Sequence, residues 1–430
     1  MNRGWMTPWT ARGLGLGLLA GACACLNAAP AWADDAATVT VPPDYTALVL
    51  GHAFLPQPDA TYMQEVIDTY VHPTSTFSGE PTYNIVGSPV SVFTPETDYD
   101  SGLTQGVADL HQAISQQLAA GNDNLVIAGY SMSTSIETQE MINLAAAAGG
   151  APDTDGLKFV LAEDVNSPDG GIFTRLPGIG GVTLPATPAD TPYTTDIYSI
   201  EYSGASDFPQ YANNIYADLN AADGYIDLHP YLLTGWPAYF NPDELAGAVV
   251  QPTSDADVAT TYFLIPTQDL PLLEGLRDAP GAPSVIADLI QPDMRVLVDL
   301  GYNWTGDADV VTPAQYTSPD IDTTAIDSYL AAGADQGMIA ALVDMGILPQ
   351  SDLSDLSDLY PYVPDVSDLQ TGALTNDAMA ALDATASLNA LTADLASSSS
   401  PFASELSAYL PGVATELAGF FQNAVSLLSF

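Results

Sequence analysis

Short apolar runs alternate with longer amphipathic stretches through the first half of the chain. Residues 45–50 (YTALVL) have the length and composition of a strand buried on both faces. Residues 59–70 space their apolar positions as a helix does, and residues 83–93 hold one or two short strands broken by Gly87 and Pro89. Residues 103–119 predict an amphipathic helix stopped by Gly121. A second apolar run, Leu125-Val126-Ile127-Ala128, passes through Gly129-Tyr130-Ser131-Met132-Ser133 into a helix-compatible segment ending near Gly149. Residues 158–161 form another apolar run, residues 195–202 alternate like a strand, and residues 211–221 resemble a helix. Strands alternating with helices predict an α/β fold with a central, mostly parallel sheet flanked by helices. Ligands of such sheets bind at the carboxyl ends of the strands. The loop after Leu50, Ser131, and the loops after Leu161 and Tyr202 are therefore expected at one edge.

Other stretches set the organisation. Residues 166–192 are rich in Gly and Pro and long for a plain connection, which suggests a substrate-covering loop or lid. Beyond residue 301 the character changes: an S-D-L repeat at 351–359, alanine-rich helical stretches at 377–396, and an amphipathic end at 402–430. The expected domains are a signal peptide (1–33), a main α/β domain (34–302) and an acidic helical C-terminal extension (303–430). That extension is expected to pack on the main domain; the alternative is peripheral contact with envelope lipid, through it or the lid.

Charge narrows the partners. The chain carries 6 Lys+Arg against 53 Asp+Glu, so it cannot neutralise phosphates and no nucleic-acid partner is expected. Anionic lipid is disfavoured for the same reason. Such a balance suits a soluble exported protein, or a halophilic one whose self-repulsion salt screens. Arg3 and Arg12, the apolar stretch 14–26 and Ala31-Trp32-Ala33 read as a secretory signal cleaved before Asp34. A retained N-terminal membrane anchor is the alternative. The only cysteines, Cys23 and Cys25, fall in this segment, so the exported chain is expected to fold without disulfides. No H-E-x-x-H, C-x-x-C or Walker loop is present, and neither metal nor cofactor is expected.

The strand–GYSMS–helix layout is that of a nucleophile elbow, which lifts Ser131 above the sheet edge with the Met132 N–H as one oxyanion donor. A serine hydroxyl needs a base within hydrogen-bond reach, and the base needs an orienting acid. Of four histidines, His229 alone follows Ser131 in the order serine, acid, histidine. His52 lies beside the first loop as a structural or substrate-contacting residue, His111 falls on the amphipathic helix, and His72 precedes a proline in a loop. For the acid, Asp207 is favoured by its position after the strand ending at Tyr202; Asp164, Asp169 and Asp227 are the alternatives. The second oxyanion donor is expected from the backbone of His52, Ala53 or Phe54, with Ala53 preferred. His52, Phe54 and Tyr130 are the expected substrate contacts.

With these residues placed, the chain resembles the PE-PPE domain of mycobacterial exported proteins, a serine α/β-hydrolase family related to cutinases. The matching stretches are the first strand with Gly51, the helix ending in His72-Pro73, Gly129-Tyr130-Ser131, Asn166-Ser167-Pro168-Asp169-Gly170-Gly171-Ile172, Arg175-Leu176-Pro177-Gly178, and the run from Glu201 through Tyr211 to His229. They span residues 45–302. The resemblance implies a Ser131–Asp207–His229 triad and esterase activity, or acyl transfer between envelope lipids through an acyl-enzyme. The substrate would be an acyl ester or glycolipid, and chains of this shape resemble cutinase-like proteins that build acylated trehalose lipids. Ser203 stands where the family usually has Asp, Ser133 where Gly or Ala is common, and His52-Ala53-Phe54 where Gly and Thr are usual. The alternative from another class is a non-catalytic envelope-binding scaffold that keeps the fold.

Overall fold

A computed structural model describes residues 43–353, except 74–76, 78, 80, 82, 148–153, 230–241, 278–282 and 318–322. The expected export signal, the anchor alternative, and the tail beyond residue 353 lie outside the described residues.

The chain enters on β1 (Asp44–Val49) and turns into α1 (Ala60–Val66), capped by the Asp59 carboxylate, which accepts from the Thr61 and Tyr62 N–H groups. A wider turn over Ile67–Val71 ends that helix. Two short strands follow, β2 (Asn84–Ile85) and β3 (Val90–Ser91), then α2 (Ser101–Ala119), β4 (Leu125–Tyr130), α3 (Met132–Ala145) and β5 (Leu157–Ala162). Next come α4 (Ile172–Arg175), β6 (Thr194–Ile200), α5 (Ile215–Asp227), α6 (Pro242–Ala246), β7 (Val249–Val250) and β8 (Thr260–Ile265). The described part closes with α7 (Pro271–Arg277), α8 (Pro283–Asp299) and α9 (Thr323–Asp344).

The sheet order is β2-β1-β4-β5-β6-β8-β7, with β3 also on β1, and every pairing is parallel except β7 with β8. Alternate residues of the central strands face two separate cores, which is why these strands read as unbroken apolar runs. Ala47, Val49, Val126, Ala128, Val160 and Ile200 meet one set of helices, whereas Leu48, Leu50, Ile127, Phe159 and Ile197 meet α2 and α3. Gly106 brings α2 close onto α3: a Cβ there would lie 2.5 Å from Ile136 Cδ1.

After β1 the chain runs outward to β2 and β3. It then crosses back to place β4 on the other side of β1. The loops after β1 and β4 consequently leave in opposite directions and open a crevice between them. Among the described residues, four of the five non-glycine residues with positive φ lie past the carboxyl ends of central strands: Phe54 after β1, Ser131 after β4, Glu163 after β5 and Tyr202 after β6. Such backbone persists only where the surroundings impose it, and it concentrates at functional sites.

Two features bear on the organisation of the chain. The loop over residues 166–192 is tied down over much of its length. The buried Arg175 guanidinium donates to the Phe208 carbonyl and, at 2.6 Å, to the Thr312 carbonyl, and pairs with Asp169. Asn166 donates to the Pro185 carbonyl and accepts from Ser135, while the turn over residues 177–181 stands exposed, as do Thr183, Pro185, Asp190 and Pro192. Past residue 302 the described chain packs on what precedes it. Trp304 stacks on Tyr302 in the core, and α9 lies so close along α8 that a Cβ on Gly337 would meet the Leu289 carbonyl oxygen at 1.9 Å.

Candidate active site

Ser131 follows the last residue of β4 at φ 60°, ψ −119°, and its N–H still bonds the Ala162 carbonyl of β5 at 3.0 Å. The chain reverses there into α3. Gly129 makes the reversal fit, since a Cβ at that position would lie 2.2 Å from Glu137 Oε1 and 2.5 Å from Ser133 Oγ. Ser133, where a small residue is common, staples the turn instead: its hydroxyl accepts from the Tyr130 N–H at 2.8 Å and donates to the Tyr130 carbonyl at 3.1 Å. Met132 heads α3, so its N–H is a first-turn donor with no carbonyl one turn earlier in the helix.

The Ser131 hydroxyl lies 2.7 Å from His229 Nε2, and His229 Nδ1 lies 2.9 Å from Glu163 Oε2. A carboxylate only accepts, so Nδ1–H donates to Glu163 and Nε2 is left to accept from Ser131. His229 sits just past α5, its N–H bonded to the Gly224 carbonyl at 3.1 Å. Gly224 approaches β6's exit so closely that a Cβ would meet the Tyr202 carbonyl oxygen at 2.1 Å. Glu163 is fixed by three further donors: the Ile200 N–H at 2.8 Å and the Ser206 hydroxyl at 2.6 Å on Oε1, and the Ser203 hydroxyl on Oε2.

The acid is the correction to the expected constellation. The structure brings Ser131 and His229 together and places Asp207 elsewhere. The Asp207 carboxylate accepts from the Tyr202 N–H at 2.9 Å and from the Trp304 indole N–H at 3.2 Å to each oxygen. Burial pushes its pKa up to about 7, against those donors. The sheet order explains the exchange. β5 is β4's immediate neighbour and pairs Ala162 with Tyr130, so residues 131 and 163 leave the sheet side by side, whereas β6 ends one strand further away. The sequence carries this signal in Glu163, the first residue after an apolar strand. Ser203, the departure from the family's usual Asp, supplies a hydroxyl to that same carboxylate. Of the other candidates, Asp164 accepts from the Thr187 hydroxyl and the Asn166 N–H, Asp169 pairs with Arg175, and Asp227 ends α5 with its side toward solvent.

The remaining residues sort by position. His52 is buried, edge-on to Tyr62 and Tyr130, and its Nδ1–H donates to the Ala53 carbonyl at 2.7 Å. Burial lowers its pKa, partly offset by that carbonyl, and nearby His229 lowers it further. The Phe54 N–H is taken by the Glu96 carbonyl at 2.9 Å, which removes it as an oxyanion donor, and its side chain is exposed. Among the described residues the Ala53 N–H donates to no backbone carbonyl, which keeps it available. His111 pairs with Glu140 on the outside of α2, and His72 lines a surface groove with Asp68 and Tyr83. A hydroxyl, an imidazole and a carboxylate joined by hydrogen bonds past the carboxyl ends of β4 and β5 can together move a proton off the hydroxyl.

The chain is similar to several known proteins. The model of the PE-PPE domain matches residues 80–303. Esterase PE16 of Mycobacterium tuberculosis is 42% identical over 69% of this chain and 56% of its own length. PE family protein PE3 of the same organism is 42% identical over 62% of this chain and 58% of its own. SL1278 acyltransferase Chp1, also from Mycobacterium tuberculosis, is 30% identical over 69% of this chain and 72% of its own. The chain thus spans little more than half the length of PE16 and PE3. Because that match covers just over half of the sequence, residues 80–303, the chain belongs to the PE-PPE domain family.

Proposed function

We propose that the chain is an exported serine esterase or acyltransferase that acts on acyl esters of envelope lipids through an acyl-enzyme. The observation that carries this reading is the unbroken line from the Ser131 hydroxyl through His229 to Glu163, set on strained backbone at the switch point of the sheet. PE16 and Chp1, an esterase and an acyltransferase by name, support the reaction class.

In the proposed reaction the Ser131 oxygen attacks the ester carbonyl carbon while its proton passes to His229 Nε2. The tetrahedral oxyanion is held by the Met132 N–H and a first-loop N–H, with Ala53 the best placed of those weighed; each such donor contributes about 3 kcal/mol. Glu163 holds the imidazole in the tautomer that leaves Nε2 free to accept, and opposes the charge the imidazolium acquires. The tetrahedral intermediate collapses, the ester C–O bond breaks, and the Nε2 proton goes to the departing alkoxide. A water or second alcohol then gives its proton to Nε2, attacks the acyl-enzyme, and returns Ser131 to its free form. Only 4% of Ser131 is exposed, and exclusion of water favours an alcohol acceptor over hydrolysis.

The test is labelling by a fluorophosphonate probe, followed by turnover of a short aryl ester with and without trehalose. Labelling of wild type that vanishes in Ser131→Ala, together with acylated sugar detected by mass spectrometry, is the expected result. Folded protein that takes up no label is a binding scaffold instead.

A further inference from the structure

Two tyrosine rings from different elements lie nearly parallel to the His229 imidazole. Tyr130, at the end of β4, has its centroid 5.2 Å away with 18° between planes. Tyr225, in the last turn of α5, is 5.4 Å away at 23°. Tyr130 is fully buried and would be explained by the core alone. Tyr225 is not: it is 40% exposed. Its place is set by close backbone packing. A Cβ on Gly204 would lie 2.9 Å from Tyr225 Cβ and 2.1 Å from the Ala221 carbonyl oxygen, so α5 rests directly on the loop after β6. Tyr225 and His229 are four residues apart, the spacing that puts side chains on one side of a helix end.

We propose that Tyr225 is a positioning residue: with Tyr130 it holds the His229 ring in the plane that joins Ser131 to Glu163 and offers its π face to the imidazolium formed during acyl transfer. The assignment rests on the reading of His229 as the base. Tilting the imidazole would break both its hydrogen bonds together, and an aromatic ring lying parallel to it resists that tilt. The negative face of a phenol ring also attracts the cationic form more than the neutral one, so its stabilisation grows toward the transition state. Among the described residues the ring also meets Glu163 on Nδ1, Ser131 on Nε2, the Tyr130 hydroxyl 3.5 Å from Nδ1, and His52 nearby. A change at Tyr225 leaves all of these in place.

The experiment compares Tyr225→Leu and Tyr225→Phe with wild type on a short aryl ester, and records the low-field NMR signal of the His229 Nδ1 proton in each. Leucine keeps an apolar cover but removes the π face. It is expected to lower kcat about tenfold with KM nearly unchanged, the size of a partly desolvated cation–π contact. The low-field proton should broaden in Tyr225→Leu and persist in Tyr225→Phe, whose kcat stays near wild type. Wild-type kcat and an intact signal in Tyr225→Leu overturn the proposal. So does a Tyr225→Phe variant as impaired as Tyr225→Leu, because the hydroxyl would then be the active part. The proton signal reads the clamp without turnover. A wild-type protein that hydrolyses nothing therefore defeats the proposed reaction, while the NMR comparison still decides the role of Tyr225.

Discussion

Exchanging Glu163 for glutamine separates the two carboxylates that compete for the role of acid. Oε1 of Glu163 accepts from the Ile200 N–H, a donor that cannot turn, and from the Ser206 hydroxyl; Oε2 accepts from His229 Nδ1 and from the Ser203 hydroxyl. A glutamine at 163 must keep its carbonyl oxygen toward Ile200. Its NH2 then faces His229, and the imidazole can satisfy it only by presenting an unprotonated Nδ1. The ring proton moves to Nε2 and points at Ser131, which can no longer give up its own. A forced wrong tautomer of this kind costs other serine hydrolases about ten-thousandfold in kcat, or about 5 kcal/mol. The side-chain volume is unchanged and most donors remain satisfied, so circular dichroism and thermal melting should stay close to wild type. Asp207→Asn is the paired control. Its amide oxygen can still accept from the Tyr202 N–H, and the partial loss at Trp304 costs about 1–2 kcal/mol of stability with activity within about tenfold. Steady-state kcat/KM on an aryl ester reads both variants. Near-normal activity in Glu163→Gln beside a dead Asp207→Asn would refute the assignment.

Two further outcomes follow from the buried structure. Burial raises Glu96 to about 8, Asp207 to about 7 and Glu137 well above the usual carboxylate range, and the Glu137 oxygens have no hydrogen-bond partner among the described residues. These groups are neutral when folded and ionise above about pH 4 when unfolded, so their stabilisation is complete below that pH and is lost as pH rises toward 8. Melting temperature in high salt, which screens the surface charge, should be higher at pH 5.5 than at pH 8.5, and Glu96→Gln should flatten the difference; no slope, or a rise with pH, counts against it. Gly337→Ala forces α9 off the Leu289 carbonyl, so it should destabilise the whole domain by about 1–3 kcal/mol, as overpacking does, and lower its melting temperature in one transition. Separate melting of the C-terminal part would contradict a shared core.

Much of the fold was legible because its strands are buried on both faces. The runs at 45–50, 125–128 and 158–161 become β1, β4 and β5 with ends shifted by a residue or two. The helix expected over 103–119 runs from Ser101 to Ala119 and turns Leu110 and Ile114 inward. No element is expected between residues 222 and 302, where β8, α7 and α8 lie, although Thr260–Ile265 (TTYFLI) extends the sheet beside β6. Pro292 inside α8 obscures that helix, since a proline ordinarily argues against an uninterrupted one. Helix α3 is legible from the elbow that precedes it and not from its own periodicity. It is buried almost throughout yet carries Ser133, Thr134, Ser135, Glu137, Thr138 and Glu140, so it has little apolar stripe to detect. At the site, the serine and histidine follow from chain order and scarcity. The acid does not, because acidic residues abound in this chain. Sheet adjacency decides between them, and that depends on which strands become neighbours.

The most direct test is to trap the acyl-enzyme. Wild-type protein mixed with a slowly released aryl ester, quenched in acid within milliseconds and digested for mass spectrometry, should carry the acyl mass on the peptide containing Ser131, at close to one per chain. In Glu163→Gln the same adduct should build up at least about a hundredfold more slowly. Ester turnover with no adduct, or with the acyl group on another residue, would contradict the account.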